Sequence, residues 1–153
     1  MYHDRNPVPL PFYPDCFGCG RDNPRGLACR FVAEGGMVKA EFKTEPWMVG
    51  YENMIHGGII GTVLDEALIW AAYAATGCFG VTAEMTVRFF KPLPVGTTCT
   101  VEGKLTENKG RVWAVESILR QTGDEKPTAE AKGKIIALKS DKQEMFKSTL
   151  RLR

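Results

Sequence analysis

His56-Gly57-Gly58-Ile59-Ile60-Gly61-Thr62-Val63-Leu64-Asp65-Glu66-Ala67-Leu68-Ile69-Trp70-Ala71-Ala72-Tyr73-Ala74-Ala75 is the most apolar stretch of the chain, yet two adjacent carboxylates sit in its middle. Its length and apolar content predict one long helix from Gly57 to Thr76, ended by Gly77. Desolvating an ionised carboxylate costs several kcal/mol, so either this helix has a wet side or one of the acids has a chemical task. One residue is about 100° round a helix, so Asp65 and Glu66 face different ways. One looks into a site and the other to solvent or a neighbouring strand; spacing leaves open which.

Strand signals flank the helix. Residues 27–32 and 37–44 surround Ala33-Glu34-Gly35-Gly36, a hairpin signal, and 46–55 reads as a loop. After the helix come strand-like runs at 81–91, 98–106, 111–121 and 128–139. Pro92-Leu93-Pro94-Val95-Gly96, Glu107-Asn108-Lys109-Gly110 and Thr122-Gly123-Asp124 separate them. A helix apolar on most of its circumference needs cover, and a strongly curved antiparallel sheet wrapped around it supplies that cover. The expected fold is α+β, with residues 27–139 as the domain. Residues 1–26, with Pro7, Pro9, Pro11, Pro14 and Pro24, read as an extended arm on its surface. Residues 140–153 read as a tail or short helix with Met145, Phe146 and Leu150 on its apolar side.

The helix start, His56-Gly57-Gly58, offers no Ser, Thr, Asp or Asn as a cap, so its first N–H groups are expected to lack a local side-chain acceptor. Bare N–H donors at the positive end of a helix dipole suit an anion or a developing oxyanion. A glycine pair that only allows tight packing would look the same. Asp65 lies eight residues past Gly57, roughly 12 Å along the axis. An oxyanion donor and a catalytic carboxylate must each come within about 3 Å of one reacting group. If both serve one reaction, the second must come from another copy of the helix, which ties catalysis to a homodimer.

His56-Gly57-Gly58, with an acid nine residues after the histidine, resembles the signature of the hotdog-fold acyl-CoA thioesterases, in particular the PaaI-like (phenylacetyl-CoA thioesterase-type) branch. The resemblance continues through Val81-Thr82-Ala83-Glu84-Met85-Thr86-Val87-Arg88-Phe89-Phe90-Lys91-Pro92 and Pro94-Val95-Gly96, and covers roughly residues 27–138. It implies a hotdog fold and hydrolysis of medium-chain, long-chain or aromatic acyl-CoA to free acid and coenzyme A. By the same resemblance the Gly57 N–H polarises the thioester carbonyl and Asp65 acts as general base or nucleophile. Thr82 holds the water or the acid, and His56 shapes the loop into the helix. Gly58 and Asn53 are implied at the substrate. Arg88 and Lys91 are candidates for the coenzyme A phosphates, as against a merely solvated strand face. A homodimer or dimer of dimers is implied, with the site between subunits. The chain departs from the family at Gly50, where several members carry Asn or Gln fifteen residues before the acid. Either Asn53 substitutes for that amide or the contribution is absent. A non-catalytic hotdog module that binds acyl-CoA as sensor or scaffold is the alternative class.

Cys16-Phe17-Gly18-Cys19-Gly20 invites a zinc or redox reading. Structural zinc wants four ligands, and no second Cys-x-x-Cys or paired histidine supplies the rest, although His3, Asp15 and Cys29 could contribute. No metal and no redox cofactor is expected, coenzyme A entering only as part of the substrate. The same segment, with Asn23-Pro24-Arg25-Gly26-Leu27, looks like a lead-in found in this branch, where it closes the turn before the opening strand. Trp47, Met48 and Tyr51 could line an acyl pocket or simply cover the helix start. A serine-hydrolase elbow, a phosphate loop and a dinucleotide fingerprint are missing from the sequence.

Bulk properties agree. The 153 residues suit one domain with a substantial core, at 44% hydrophobic and 25% charged content. A net charge of +2 without aromatic-interleaved basic runs gives no reason to expect nucleic acid. Neither a secretory leader nor a membrane span is expected. Five scattered cysteines suit a reducing cytoplasm.

Overall fold

A computed structural model gives the architecture for residues 6–152. Helix α1 (Gly57–Thr76) has the predicted bounds and ends at Gly77, whose φ of 70° is the left-handed turn that glycine adopts without penalty. Around it the chain places β1 (Val8–Pro9), β2 (Val32–Glu34), β3 (Met37–Lys43), β4 (Val49–Tyr51) and β5 (Met54–Ile55). After it come β6 (Gly80–Phe89), β7 (Thr98–Lys109), β8 (Val112–Gln121), β9 (Ala129–Ala137) and α2 (Ser140–Thr149).

Seven strands form one antiparallel sheet in the order β1-β2-β3-β7-β8-β9-β6. Side chains alternate along β8 and β9, burying Val115, Leu119, Ala131 and Ile135 against α1. From the helix, Val63, Leu64, Ala67 and Leu68 are fully buried. Each of the larger of these is worth about 1.5–3 kcal/mol of burial. This curved sheet around one filling helix is the hotdog fold, of class α+β, as expected. By length and mean hydropathy α1 would also suit a membrane span. Its buried face on the sheet accounts for that apolarity.

The helix lies on the sheet backbone to backbone. A Cβ at Gly103 of β7 would come within 2.5 Å of the Ala67 carbonyl oxygen. Opposite Gly103 in register is Ser117 of β8, whose buried hydroxyl donates to the Leu64 carbonyl at 3.0 Å. These two contacts set the height and register of α1, and with them the position of residue 65.

Several local expectations change. Residues 27–31 are not a strand: Ala28 has φ 49°, and the N–H groups of Leu27 and Cys29 bond to Phe17 and Gly18 of the arm instead of to the sheet. The arm is less peripheral than predicted, since β1 adds to the sheet and Leu10, Cys19 and Gly20 are buried. Within 46–55 the chain forms a 3-10 turn at Pro46–Met48 and the β4–β5 ribbon. The tail forms α2, but Met145 is exposed and Gln143 is buried. The Gln143 amide brackets Phe79, accepting from its N–H at 2.7 Å and donating to its carbonyl at 2.8 Å, so a polar residue holds the chain just before β6.

Gly103→Ala should destabilise the chain by about 1–3 kcal/mol through overpacking against the helix backbone. Gly61→Ala, on a helix position where an added Cβ meets nothing within 4 Å in the single chain, should stabilise the monomeric form by roughly 0.5–1 kcal/mol. Urea denaturation of both variants checks the pair.

Candidate active site

At the start of α1 the backbone of His56 is extended (φ −59°, ψ 132°), and its Nδ1 accepts the Gly58 N–H at 2.8 Å. The helix start therefore does have a side-chain cap, contrary to the expectation from sequence. An imidazole nitrogen reaches the place an Asn or Asp oxygen would take. Gly58 permits this, because a Cβ there would sit 2.9 Å from Nδ1. With Nδ1 accepting, the neutral ring carries its proton on Nε2. The cap leaves the preceding donor over: among the described residues nothing accepts from the Gly57 N–H.

Gly57 opens into a cavity of about 450 Å³ walled by His56, Ile60, Phe89, Phe90 and Leu93. Of the aromatic and thioether side chains suggested for this wall, Tyr51 lines it, whereas Met48 belongs to the core and Trp47 donates to Glu45 at 2.8 Å. Phe89 and Phe90, at the end of β6, were not singled out from sequence. Only the bend of the sheet brings them over the helix start. Gly50 also lines the cavity, and a Cβ there would meet His56 Cα at 3.1 Å. Asn53 is a left-handed turn residue (φ 55°) whose carbonyl accepts from Val95, and it does not line the cavity.

Two turns along α1, Asp65 meets the edge strand. Its Oδ1 accepts from the Thr82 hydroxyl at 2.6 Å, and both residues are half-buried. Thr82 stands at a bulge in the β6–β9 pairing, between Thr82 and Glu84. The structure thus joins the predicted acid to the predicted hydroxyl. It does not join Asp65 to Gly57, which one helix holds roughly 12 Å apart.

Glu66 turns neither to solvent nor to a strand. The arm folds over it: Cys16 Sγ donates to Oε1 at 3.4 Å and Trp70 Nε1 donates to Oε2 at 3.2 Å. Burial, followed by the charge on Cys16, pushes its carboxyl up to about 8. Cys19, through its thiol and its N–H, draws Cys16 towards thiolate. Of the proposed cations, Arg88 lies over the Phe90 ring with its guanidinium carbon 5.5 Å from the centroid, and Lys91 pairs with Asp124.

Beyond Thr82 the sheet stops. Strand β6 pairs with β9 on one side, and its other edge is open among the described residues. Val81 and Phe89 on it are 49% and 54% exposed.

A capped helix start with one unclaimed N–H at Gly57, an acid–hydroxyl pair and a hotdog sheet define a known class. Residues 52–128 match the model of the thioesterase superfamily, and the chain belongs to that family. Among curated proteins it is 32% identical over 113 residues to the acyl-coenzyme A thioesterase THEM4 of Xenopus laevis, covering 72% of this chain and 50% of that protein. Matches to curated relatives span half or less of their lengths. Among solved structures, thioesterase superfamily protein RHA08564 superposes with TM-score 0.73 at 23% identity, covering 80% of this chain and 60% of that one. The E. coli PaaI protein of the phenylacetic acid degradation operon superposes with TM-score 0.68 at 18% identity, covering 74% and 81%.

His56→Ala should lower stability by about 0.5–2 kcal/mol through loss of the cap, and His56→Asn should retain most of it. Thermal unfolding of the two variants separates this capping role from any chemical one.

Proposed function

We propose that the protein hydrolyses acyl-CoA thioesters at a site built from two copies of the chain, each giving its helix start to the other's acid. The observation that carries this reading is the division along α1: a free N–H at Gly57 opening into an apolar cavity, and a hydroxyl-held acid at Asp65, too far apart to meet in one chain.

The open edge of β6 is the place for the second copy. A ten-residue edge strand with exposed apolar side chains invites pairing with its like. Antiparallel pairing of two such edges sets the two α1 helices side by side in opposite directions. Asp65 of one copy then approaches Gly57 of the other. The Gly57 N–H, at the positive helix end, stabilises the negative charge that develops on the thioester oxygen. Thr82 occupies one carboxylate oxygen of Asp65 and leaves the other to take a proton from water. The water oxygen adds to the carbonyl carbon, the C–S bond breaks, and the proton held by Asp65 neutralises the departing thiolate. The products are free acid and coenzyme A. Ile60, Phe89 and Leu93 suit an aliphatic or aromatic acyl group. Arg88, outside on β6, is the better-placed cation for the coenzyme A phosphates, since Lys91 is engaged by Asp124.

Release of free thiol from a panel of acyl-CoAs tests the activity, and Asp65→Asn should lower kcat by roughly 10²–10⁴-fold. Binding of acyl-CoA without turnover by the unaltered protein would identify a binding module instead. Gly57→Pro removes the donor, and circular dichroism and acyl-CoA binding must accompany it because the added ring also meets Phe89 in the cavity wall. Proline is favoured at the first helical position, and His56 already has the extended backbone that precedes it. Its loss of the N–H should raise the barrier by about 2.7–4 kcal/mol. Dissociated and reassociated together, the two variants should recover about a quarter of normal turnover, because about half of random dimers then carry one intact site. No recovery would refute the shared site. Single turnover in ¹⁸O-water should label the product acid directly; label appearing first in Asp65 would make it the nucleophile.

A further inference from the structure

The arm loop that covers Glu66 is built for that position. Cys16 N–H bonds to Tyr13 O at 3.2 Å, Gly20 N–H to Cys16 O at 3.0 Å, and Asp22 N–H to Pro14 O at 2.9 Å. Cys29 N–H closes the far side on Gly18 O at 2.9 Å. The loop backbone then presses onto the helix. A Cβ on Gly18 would fall 2.2 Å from Glu66 Cγ and 2.4 Å from its Oε1, and one on Gly20 would fall 2.4 Å from the Cys16 and Pro14 carbonyl oxygens. Any other residue at 18 would displace the Glu66 side chain from under the loop, or the loop from over it.

This approach gathers three donors. A sulfur from Cys16, one from Cys19 and a carboxylate oxygen of Glu66 all lie within 4.8 Å of one another. Each is anionic when ionised, and among the described residues no Lys, Arg or His pairs with Glu66. The supporting bonds hold the donors close together. Cys19 N–H donates to Cys16 Sγ at 3.4 Å, and Trp70 Nε1 holds Oε2, leaving Oε1 towards the sulfurs. Tetrahedral zinc, with bonds of about 2.3 Å to sulfur and about 2.0–2.2 Å to oxygen, spaces its ligand atoms roughly 3.5–3.8 Å apart. Cys16 Sγ and Glu66 Oε1 are already 3.4 Å apart.

We infer that Cys16, Cys19 and Glu66 bind one divalent cation of the zinc class, which clamps the N-terminal arm onto the central helix. Two thiolates and a carboxylate suit zinc or cobalt better than the hard, all-oxygen preference of magnesium or calcium. The thiol and carboxyl protons pass to solvent as the metal binds. A cavity of about 460 Å³ borders Cys16, the one of the three donors it touches, and is the side from which a fourth ligand would come. Of the residues considered from sequence, Asp15 is exposed, Cys29 is not one of the three clustered donors, and His3 lies outside the described residues. The sequence pattern hid the site because its third ligand comes from fifty residues away. The clamp is independent of thioester hydrolysis, although its anchor is the residue next to Asp65.

Cobalt titration of the full chain, reduced and stripped with chelator, tests this without any variant. One equivalent per chain is expected, with a near-ultraviolet sulfur-to-cobalt band of two-thiolate intensity that zinc abolishes by displacement. Zinc should also shield Cys16, the half-buried one of the pair, from alkylation, as mapped by mass spectrometry. Glu66→Gln should keep the band but weaken affinity by at least the ~10–100-fold that loss of even an outer-shell partner costs. The double variant Cys16→Ser/Cys19→Ser should lose the band. A reduced, unaltered chain that takes up no cobalt overturns the assignment, and so does an affinity that Glu66→Gln leaves unchanged. If such a chain instead forms a Cys16–Cys19 disulfide in air, the pair is a redox dithiol.

Discussion

The seating of α1 on the sheet is the constraint on which the rest of the structure depends. Ser117 holds the Leu64 carbonyl, and Gly103 lets the helix backbone descend to Ala67. Neighbouring strands β7 and β8 thus grip the helix at its middle, one turn wide. With that grip in place the rotation of the helix is no longer free. Leu64 and Leu68 point into the sheet, Asp65 points to the edge strand, and Glu66 points to the arm. The two adjacent acids acquire different surroundings from one geometrical fact.

The same rigidity separates the two ends of the chemistry. A helix cannot be shortened to bring Gly57 to Asp65, so a site using both needs symmetry. The sheet ends on the ten-residue strand β6, whose outer edge has no partner among the described residues and carries the exposed Val81 and Phe89, the simplest route to a symmetric partner. Thr82 stands on that strand, so the residue that orients the acid also stands on the proposed interface. Assembly and catalysis are then one problem. In the proposed dimer, the edge that would be an aggregation hazard in a monomer would form the floor of the site.

The N-terminal arm works from the other side of the helix. It supplies a short edge strand, fills the space around Leu10 and Cys19, and lays its glycine-containing loop on Glu66. Covering a carboxylate is costly unless something compensates, and one Trp70 N–H and a thiol are modest compensation. The Glu66 carboxyl, raised to about 8, holds its proton near neutral pH and so escapes most of that cost. The proposed cation would take the proton's place.

The sequence by itself determined the helix, the later strands, the turns between them and the hotdog arrangement. Those depend on local period, on the left-handed turn at Gly77 and on an apolar helix needing cover. Through its resemblance to the family motif it also singled out Gly57, Asp65 and Thr82, a choice between the two acids that spacing alone left open. Tertiary structure alone decided what depends on distant partners. His56 became a cap because a glycine made room for its ring, and residues 27–31 left the sheet because the arm claimed their N–H groups. Phe89 and Phe90 became cavity walls through the bend of β6. Glu66 left solvent for two cysteines fifty and forty-seven positions away, a proximity that no local pattern encodes.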